Sequence, residues 1–233
     1  MDIGKAFGFV FEDENWIVKI LVGAGILAVG LLLSWLIIPL ILAFAILSGY
    51  EVEIVRRVIR GDLDTLPEWD NWGQLIADGL KVIVIGSVYW LPAILVGLCL
   101  GVPAGILSED APGLSSALSV LSSCLWILWA IVVTLVMPAA IAFFVDQDDL
   151  AAAFRFGEVI AFVRDNLPTY LVTLVMSWVA QIIGGLGSLL CGIGLLATVP
   201  YSYMAIGHLY GQAYVEGQGR MAMAAPAVEE EAA

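Results

Sequence analysis

Apolar residues run through this chain in blocks longer than a buried soluble helix needs, and the polar residues collect in the links between them. The first block, span A, covers about 17–48 and has Lys19 at its edge as its only charge. Span B covers about 80–106, kinked at Pro92 and broken near Gly101-Val102-Pro103, and span C covers about 114–145 with Pro138 inside. The run from Leu167 to Val215 is too long for one helix and too short for three. Gly184-Gly185-Leu186-Gly187-Ser188 supplies its break, giving span D at about 168–184 and span E at about 189–213. A rise of ~1.5 Å per residue means that roughly 20 residues cross ~30 Å of hydrocarbon, so these blocks have the length of membrane spans. Span A exceeds one crossing. No Asn-Gly, Asp-Gly or Gly-Pro turn interrupts it, and Pro39 reads as a kink, so one long kinked helix is expected. A hairpin in span A would make six spans in place of five.

The link at 49–81, GYEVEIVRRVIRGDLDTLPEWDNWGQLIADGLK, carries four of the nine basic residues and seven of the 22 acidic ones. Val52, Val55 and Ile59 share a helical face, Glu53 precedes Arg57 by four, and Gly61 suits a C-terminal cap. Thr65-Leu66-Pro67-Glu68 has the form of a capping box with proline in the first turn. Leu66, Trp69, Trp72 and Leu75 follow at helical spacing, which predicts a second, amphipathic helix anchored by tryptophan at headgroup level. The two short helices together form a surface elbow at 49–79. Residues 1–16 form an N-terminal interfacial segment, the link 146–167 lies partly in the interface, and the acidic tail 216–233 is expected to be disordered. A weak internal repeat is visible: Leu66-Pro67 follows Pro39 much as Leu167-Pro168 follows Pro138.

Composition agrees. The chain is 61% hydrophobic and 13% charged, about half the ~25% charge of a soluble domain, and its mean hydropathy is +1.00. The fold class is therefore an all-α, polytopic integral membrane bundle of about five spans within a single membrane domain at 17–215, with amphipathic interfacial helices. The Lys and Arg count puts loops 49–79 and 146–167 and the C-terminus on the cytoplasmic side of a cell membrane. Five spans then leave the N-terminus outside, against which Lys5 and Lys19 argue.

Candidate chemistry is sparse. The cores of spans A to E contain no Asp, Glu, Lys or Arg, which weighs against a proton-coupled pump or an intramembrane protease. His208 is the only histidine and reads as an interhelical hydrogen bond; Gln181 reads the same way. Cys99, Cys124 and Cys191 sit in apolar runs as small hydrophobes. Asp62-x-Asp64 and Asp146-x-Asp148-Asp149 lack the spacing of a calcium loop. No catalytic set, cofactor loop or metal site is visible, so no enzyme, no cofactor and no metal are expected. Arg56, Arg57, Arg60 and Lys81 with Trp69 and Trp72 are candidates for contact with anionic lipid headgroups and the interface. Gly97, Gly101, Gly207 and Gly211 have the spacing of close helix packing. The partners these features allow are the lipid bilayer, anionic lipid, a second copy of the chain or another membrane protein. Nucleic acid is excluded, because no basic patch is present.

Gly49-Tyr50, Arg56-Arg57, Gly61, Leu66-Pro67-x-Trp69, Trp72, Asp78-Gly79-Leu80-Lys81, Tyr89 with Pro92, and His208-x-x-Gly211-Gln212 resemble a prokaryotic membrane family, frequent in archaea, known as domain of unknown function 4013. The resemblance covers roughly residues 3–215 and is most specific in LPEWDNWG and the following DGLK. It implies an integral membrane protein of several helices and brings no activity, substrate or catalytic residue. The residues themselves favour a structural or accessory protein that organises partners or lipids. A small permease or channel built from a duplicated two-span unit is the alternative, and a lipid enzyme comes last.

Overall fold

A computed structural model of the chain describes residues 1–190 and 192–231, with side chains as far as Gly219. Cys191 and the last two residues lie outside the described residues. The order of elements is α1 (Ile3–Gly8), α2 (Trp16–Leu32), α3 (Ile38–Ile59), α4 (Trp72–Val96), α5 (Val102–Ile106), α6 (Pro112–Gln147), α7 (Phe156–Asp165), α8 (Leu167–Leu186) and α9 (Leu195–Glu231). Among the described residues, four helical runs are long and apolar enough to cross a membrane: Ile38–Ile59, Trp72–Ile106, Pro112–Gln147 and Leu167–Leu189. The segments Ile3–Glu12 and Trp16–Leu32 qualify together as a pair bent by 93°.

Span A is not one kinked helix. It folds back at a 3-10 turn over Ser34–Leu36, after which Ile37 takes φ +63°. Gly30 of α2 packs on Ala43 of α3 across the resulting hairpin. Pro39 occupies the first turn of α3, where its missing N–H leaves no bond unmade, and so starts a helix instead of bending one. α4 returns antiparallel to α3, with the backbone of Gly49 against Leu75 and that of Gly79 against Ala45. A π-helical turn at Gly97–Gly101 carries α4 into α5. α6 runs back along α4: Trp129 Nε1 donates to the Tyr89 carbonyl at 2.9 Å and Trp90 faces Trp126 at 5.2 Å. α8 and α9 form a last antiparallel pair, joined where Gly187 and Gly194 touch. The second Leu-Pro pair does begin α8, whereas the first lies in a loop, so the two halves of the suggested repeat differ.

The helices alternate in direction, and this fixes which links share an end. Lys5 pairs with Asp64, Asp13 accepts from the Leu66 N–H at 3.3 Å, the Leu63 carbonyl meets His208 at 3.1 Å, and Tyr214 donates to Asp146 at 2.9 Å. The N-terminal segment, loop 60–71, link 146–149 and the later part of α9 therefore gather at one polar end. The hairpin turn at 34–37 and the links near 108–111 and 187–194 lie at the other. The N-terminal segment and loop 60–71, expected at opposite ends, lie at the same end of the bundle, because α2 adds a helix before α3.

α9 is the axis of the bundle. Its Met204, Ala205, Leu209 and Ala213 are buried, although its Tyr, Ser, His and Gln content makes it less apolar than its neighbours. It continues to Glu231, whereas unstructured chain was expected after Gly217. Alanine, the strongest helix former, lets a helix already nucleated inside the bundle extend into that stretch, where Pro226 removes one bond of the ladder.

Candidate functional site

The link at 49–79 is not a surface elbow, and this difference defines the site. α3 continues unbroken past Ser48, with Glu51, Val52, Ile54, Val55, Arg56 and Val58 all buried. Gly61, at φ +90°, closes the helix as expected, and the Asp62 N–H returns to the Arg57 carbonyl at 3.0 Å. The second amphipathic helix does not form over 61–71. Thr65 donates to Asp62 at 2.5 Å instead of capping. Tyr50 on α3 donates to the Pro67 carbonyl at 2.8 Å, and Lys19 on α2 donates to the Leu66 carbonyl at 2.9 Å. With these carbonyls committed to distant side chains, the segment stays extended, and α4 starts at Trp72 with Asn71 as its cap.

This loop is riveted to the bundle. Trp69 stacks on Tyr50 with ring centroids 4.0 Å apart, and its Nε1 donates to the Lys19 carbonyl at 3.1 Å. Lys19 also pairs with Asp13 at 2.8 Å and Glu68 at 2.7 Å. Burial pushes the Asp13 carboxyl up, but the Lys19 ammonium and the N–H groups of Asn15 and Leu66 outweigh it and hold Asp13 below the ordinary carboxylate value. Asp62 is lowered in the same way: partial desolvation is offset by the Thr65 hydroxyl and the N–H groups of Asp64 and Thr65.

The residues expected to meet lipid headgroups divide. Arg56 is buried and committed, to Asp78 at 2.8 Å and Glu53 at 2.5 Å, so it is not a headgroup ligand. Lys81 completes this cluster on Asp78 at 2.9 Å and lies over the Phe144 ring at 5.2 Å. Arg57 is shared between Glu53, Asp62 and Thr65. Arg60 and Trp72 are exposed. The three arginines line a cleft of about 560 Å³ opposite Glu53, Glu68, Asp70, Asp146 and Asp148. Acids outnumber arginines there, so the cleft does not attract anions. Of the glycines, Gly207 packs on Glu51 and Ile54, and Gly211 on Val55 and Val58. Around Gly97 and Gly101 nothing lies within 4 Å of where a Cβ would stand, so neither packs closely on another helix of this chain. Cys99 and Cys124 are exposed on the outside of the bundle and are not core residues. His208 bonds Gln212 at 2.9 Å as well as the Leu63 carbonyl.

The spans as drawn hold no ionisable group in their cores, but α3 and α4 run on beyond those bounds and bury Glu51, Arg56 and Asp78, with Lys81 partly exposed beside them. Glu51 is different from the rest. It is 7% exposed and, among the described residues, makes no ion pair. Its carboxyl lines a cavity of about 340 Å³ with Ser48, Val82, Met137, Ile141, Gln181, Ser202, Tyr203, Ile206 and Tyr210. Five helices contribute: α3, α4, α6, α8 and α9. Gln181, expected only to join helices, is part of this wall. Glu51 had a signal in the sequence, since it stands on one helical face with Leu47, Ile54 and Val58. Among the described residues, no group of three or more His, Cys, Asp and Glu side chains converges to hold a metal.

A bundle of long apolar helices around an apolar core, with a few buried polar and charged side chains, has the architecture of a multi-pass α-helical membrane protein. The chain belongs to the family described as protein of unknown function DUF4013, whose model matches residues 32–193. The match takes in α3 to α8 and thus Glu51, the Arg56–Asp78 pair and Gln181. No curated protein and no solved structure matches the chain.

Proposed function

We propose that this protein is a small membrane permease whose solute site is the Glu51 cavity, taking a small cation or a protonatable solute. The observation that carries the reading is a buried Glu51 without an ion-pair partner among the described residues, beside a partly open cavity whose mainly apolar wall carries Ser48, Gln181, Ser202, Tyr203 and Tyr210. An ionisable group at such depth is expensive to maintain, and in membrane proteins it commonly marks an ion or substrate path. Ser48, Gln181, Ser202, Tyr203 and Tyr210 supply hydroxyl and amide groups that can replace part of a solute's hydration shell. No acid/base or nucleophile set accompanies Glu51, so the reading is transport and not catalysis.

The test is a flux screen with the full chain in proteoliposomes. Potassium, ammonium and methylammonium are the first probes, with Glu51→Gln as the comparison. Uptake above empty liposomes that is lost in Glu51→Gln supports the reading, and uptake equal to empty liposomes for every probe overturns it.

A second reading, an accessory protein that organises partners or lipids, draws on a different observation. The run Trp72–Ile106 is only 17% buried over its most apolar window, and Leu91, Ile94, Leu95, Leu98 and Val102 are exposed along it. That arm offers a surface to lipid or to another membrane protein, and Arg60 and Trp72 offer one to headgroups. Co-purification of one stoichiometric partner in mild detergent supports this second reading.

A further inference from the structure

Three buried side-chain atoms lack a hydrogen-bond partner among the described residues: Asn166 Oδ1, the Tyr170 hydroxyl and Ser177 Oγ. All three belong to one face of one helix. Asn166, Tyr170, Thr173, Ser177 and Gln181 follow each other along α8 at intervals of three or four, and the first four are each at most 1% exposed. Gln181 is itself exposed and lines the open side of the Glu51 cavity. Ser177 lies beside Tyr210, and Tyr210 lines the same cavity. At its other end the face meets the exposed Arg164 and Asp165 at the end of α7.

Burying a hydroxyl or amide oxygen without a partner costs about 1–3 kcal/mol, so an isolated case calls for an explanation and three in register call for a common one. Positions three or four apart on a helix are roughly 5–6 Å from each other, too far for direct bonds between short side chains and suited to one bridging water. Thr173 already donates to the Thr169 carbonyl at 2.9 Å and keeps acceptor capacity. Water bridging the open groups on either side of it would make the row a continuous hydrogen-bonded relay of the kind that moves protons in membrane proteins.

We infer that the polar face of α8, from Asn166 through Tyr170, Thr173 and Ser177 to Gln181, is a hydrated proton path linking the polar end of the bundle to the Glu51 carboxyl. The inference rests on the permease reading for its purpose: Glu51 accepts a proton from this row, or returns one to it, as the cavity fills and empties. Proton and charge balance, because the proton leaving the carboxyl passes to water at the Asn166 end and the carboxylate remains. The titratable groups facing Glu51 across the cavity are Tyr203 and Tyr210; Glu53 and Arg56 share its helix and are occupied with each other.

The test is time-resolved infrared spectroscopy of the full chain in nanodiscs after a pH jump. The Glu51 carboxyl bands are assigned by their loss in Glu51→Gln. Tyr170→Phe removes only an unpartnered hydroxyl, so folding is preserved, and Ser177→Val is its companion. Tyr89→Phe is the control, because that hydroxyl donates to the Ala153 carbonyl away from α8. The expected result is a severalfold slower protonation of Glu51 in Tyr170→Phe and Ser177→Val, with Tyr89→Phe at the wild-type rate. Unchanged rates in both path variants, or equal slowing in Tyr89→Phe, overturn the path. Slowed protonation in a protein that moves no solute keeps the path and removes the permease reading. Solute flux lost in Glu51→Gln with unchanged protonation rates does the reverse.

Discussion

Arg56 of α3 and Asp78 of α4 meet at 2.8 Å, with side chains 7% and 4% exposed. The pair bridges the antiparallel helices that carry Gly49 and Gly79, and Glu53 and Lys81 complete its hydrogen bonding. Removing Asp78 leaves the buried Arg56 with Glu53 alone, and removing Arg56 leaves the buried Asp78 with Lys81 alone, so in each case a buried charge loses its best-placed partner. Arg56→Ala or Asp78→Ala should each destabilise the bundle by about 3 kcal/mol or more. The joint replacement Arg56→Met with Asp78→Leu should cost less than either single change. Thermal unfolding in detergent measures both; a double variant no more stable than the singles contradicts this account of the pair.

Close backbone contact should matter more than glycine spacing. A methyl group at Gly49 would collide with the Leu75 backbone, and one at Gly79 with the Ala45 backbone. Neither neighbour is a flexible side chain, so α3 and α4 would have to separate. Gly49→Ala and Gly79→Ala should abolish recovery of folded protein, while Gly97→Ala and Gly101→Ala, with open space around them, should leave yield and melting temperature unchanged. Size-exclusion profiles of the four variants decide it.

Acid should loosen loop 60–71 in a defined window. The Asp13 carboxyl is held below its ordinary value of 3.8, despite burial, chiefly by Lys19. A lowered value in the folded state means that its contribution is fully present above 3.8 and is lost as pH falls through the lower, folded value. Asp62 acts in the same direction. Pepsin cleavage within 60–71 should therefore begin only below about pH 3.8, whereas Asp13→Asn should expose the loop to a neutral protease at pH 7. Protection of the loop in Asp13→Asn at pH 7 would count against the Lys19 rivet.

The physical reasons for what was legible are specific. Hydrocarbon length fixed the membrane class, and Gly184 to Ser188 marked the α8–α9 break because close approach there requires glycine. The turn at Ser34–Ile37 left no trace, since it is built from apolar residues and places isoleucine at a positive φ that usually favours glycine. Thr65–Glu68 had the right letters for a helix start, but Tyr50 and Lys19, distant in sequence, captured the local carbonyls. Glu51 was hidden for another reason. The charges after Ser48 mark the end of span A in the sequence, whereas α3 carries the same buried face on to Val58, about three turns further, covered by α9 through Gly207 and Gly211.

The crossing made by α2 is the part of the fold with the sharpest consequence for topology. In a background with Cys99, Cys124 and Cys191 replaced by Ser, single cysteines at Trp35, Asp64, Glu109 and Asp148 sample both ends of the bundle. Trp35 is 76% exposed at the hairpin turn. A membrane-impermeant maleimide should label Asp64→Cys and Asp148→Cys from one side, and Trp35→Cys and Glu109→Cys from the other. Were span A one kinked helix, position 35 would sit within hydrocarbon and react from neither side. Labelling of Trp35→Cys together with Glu109→Cys therefore requires the hairpin, and with it an N-terminal segment on the same side as loop 60–71, where Lys5 reaches Asp64.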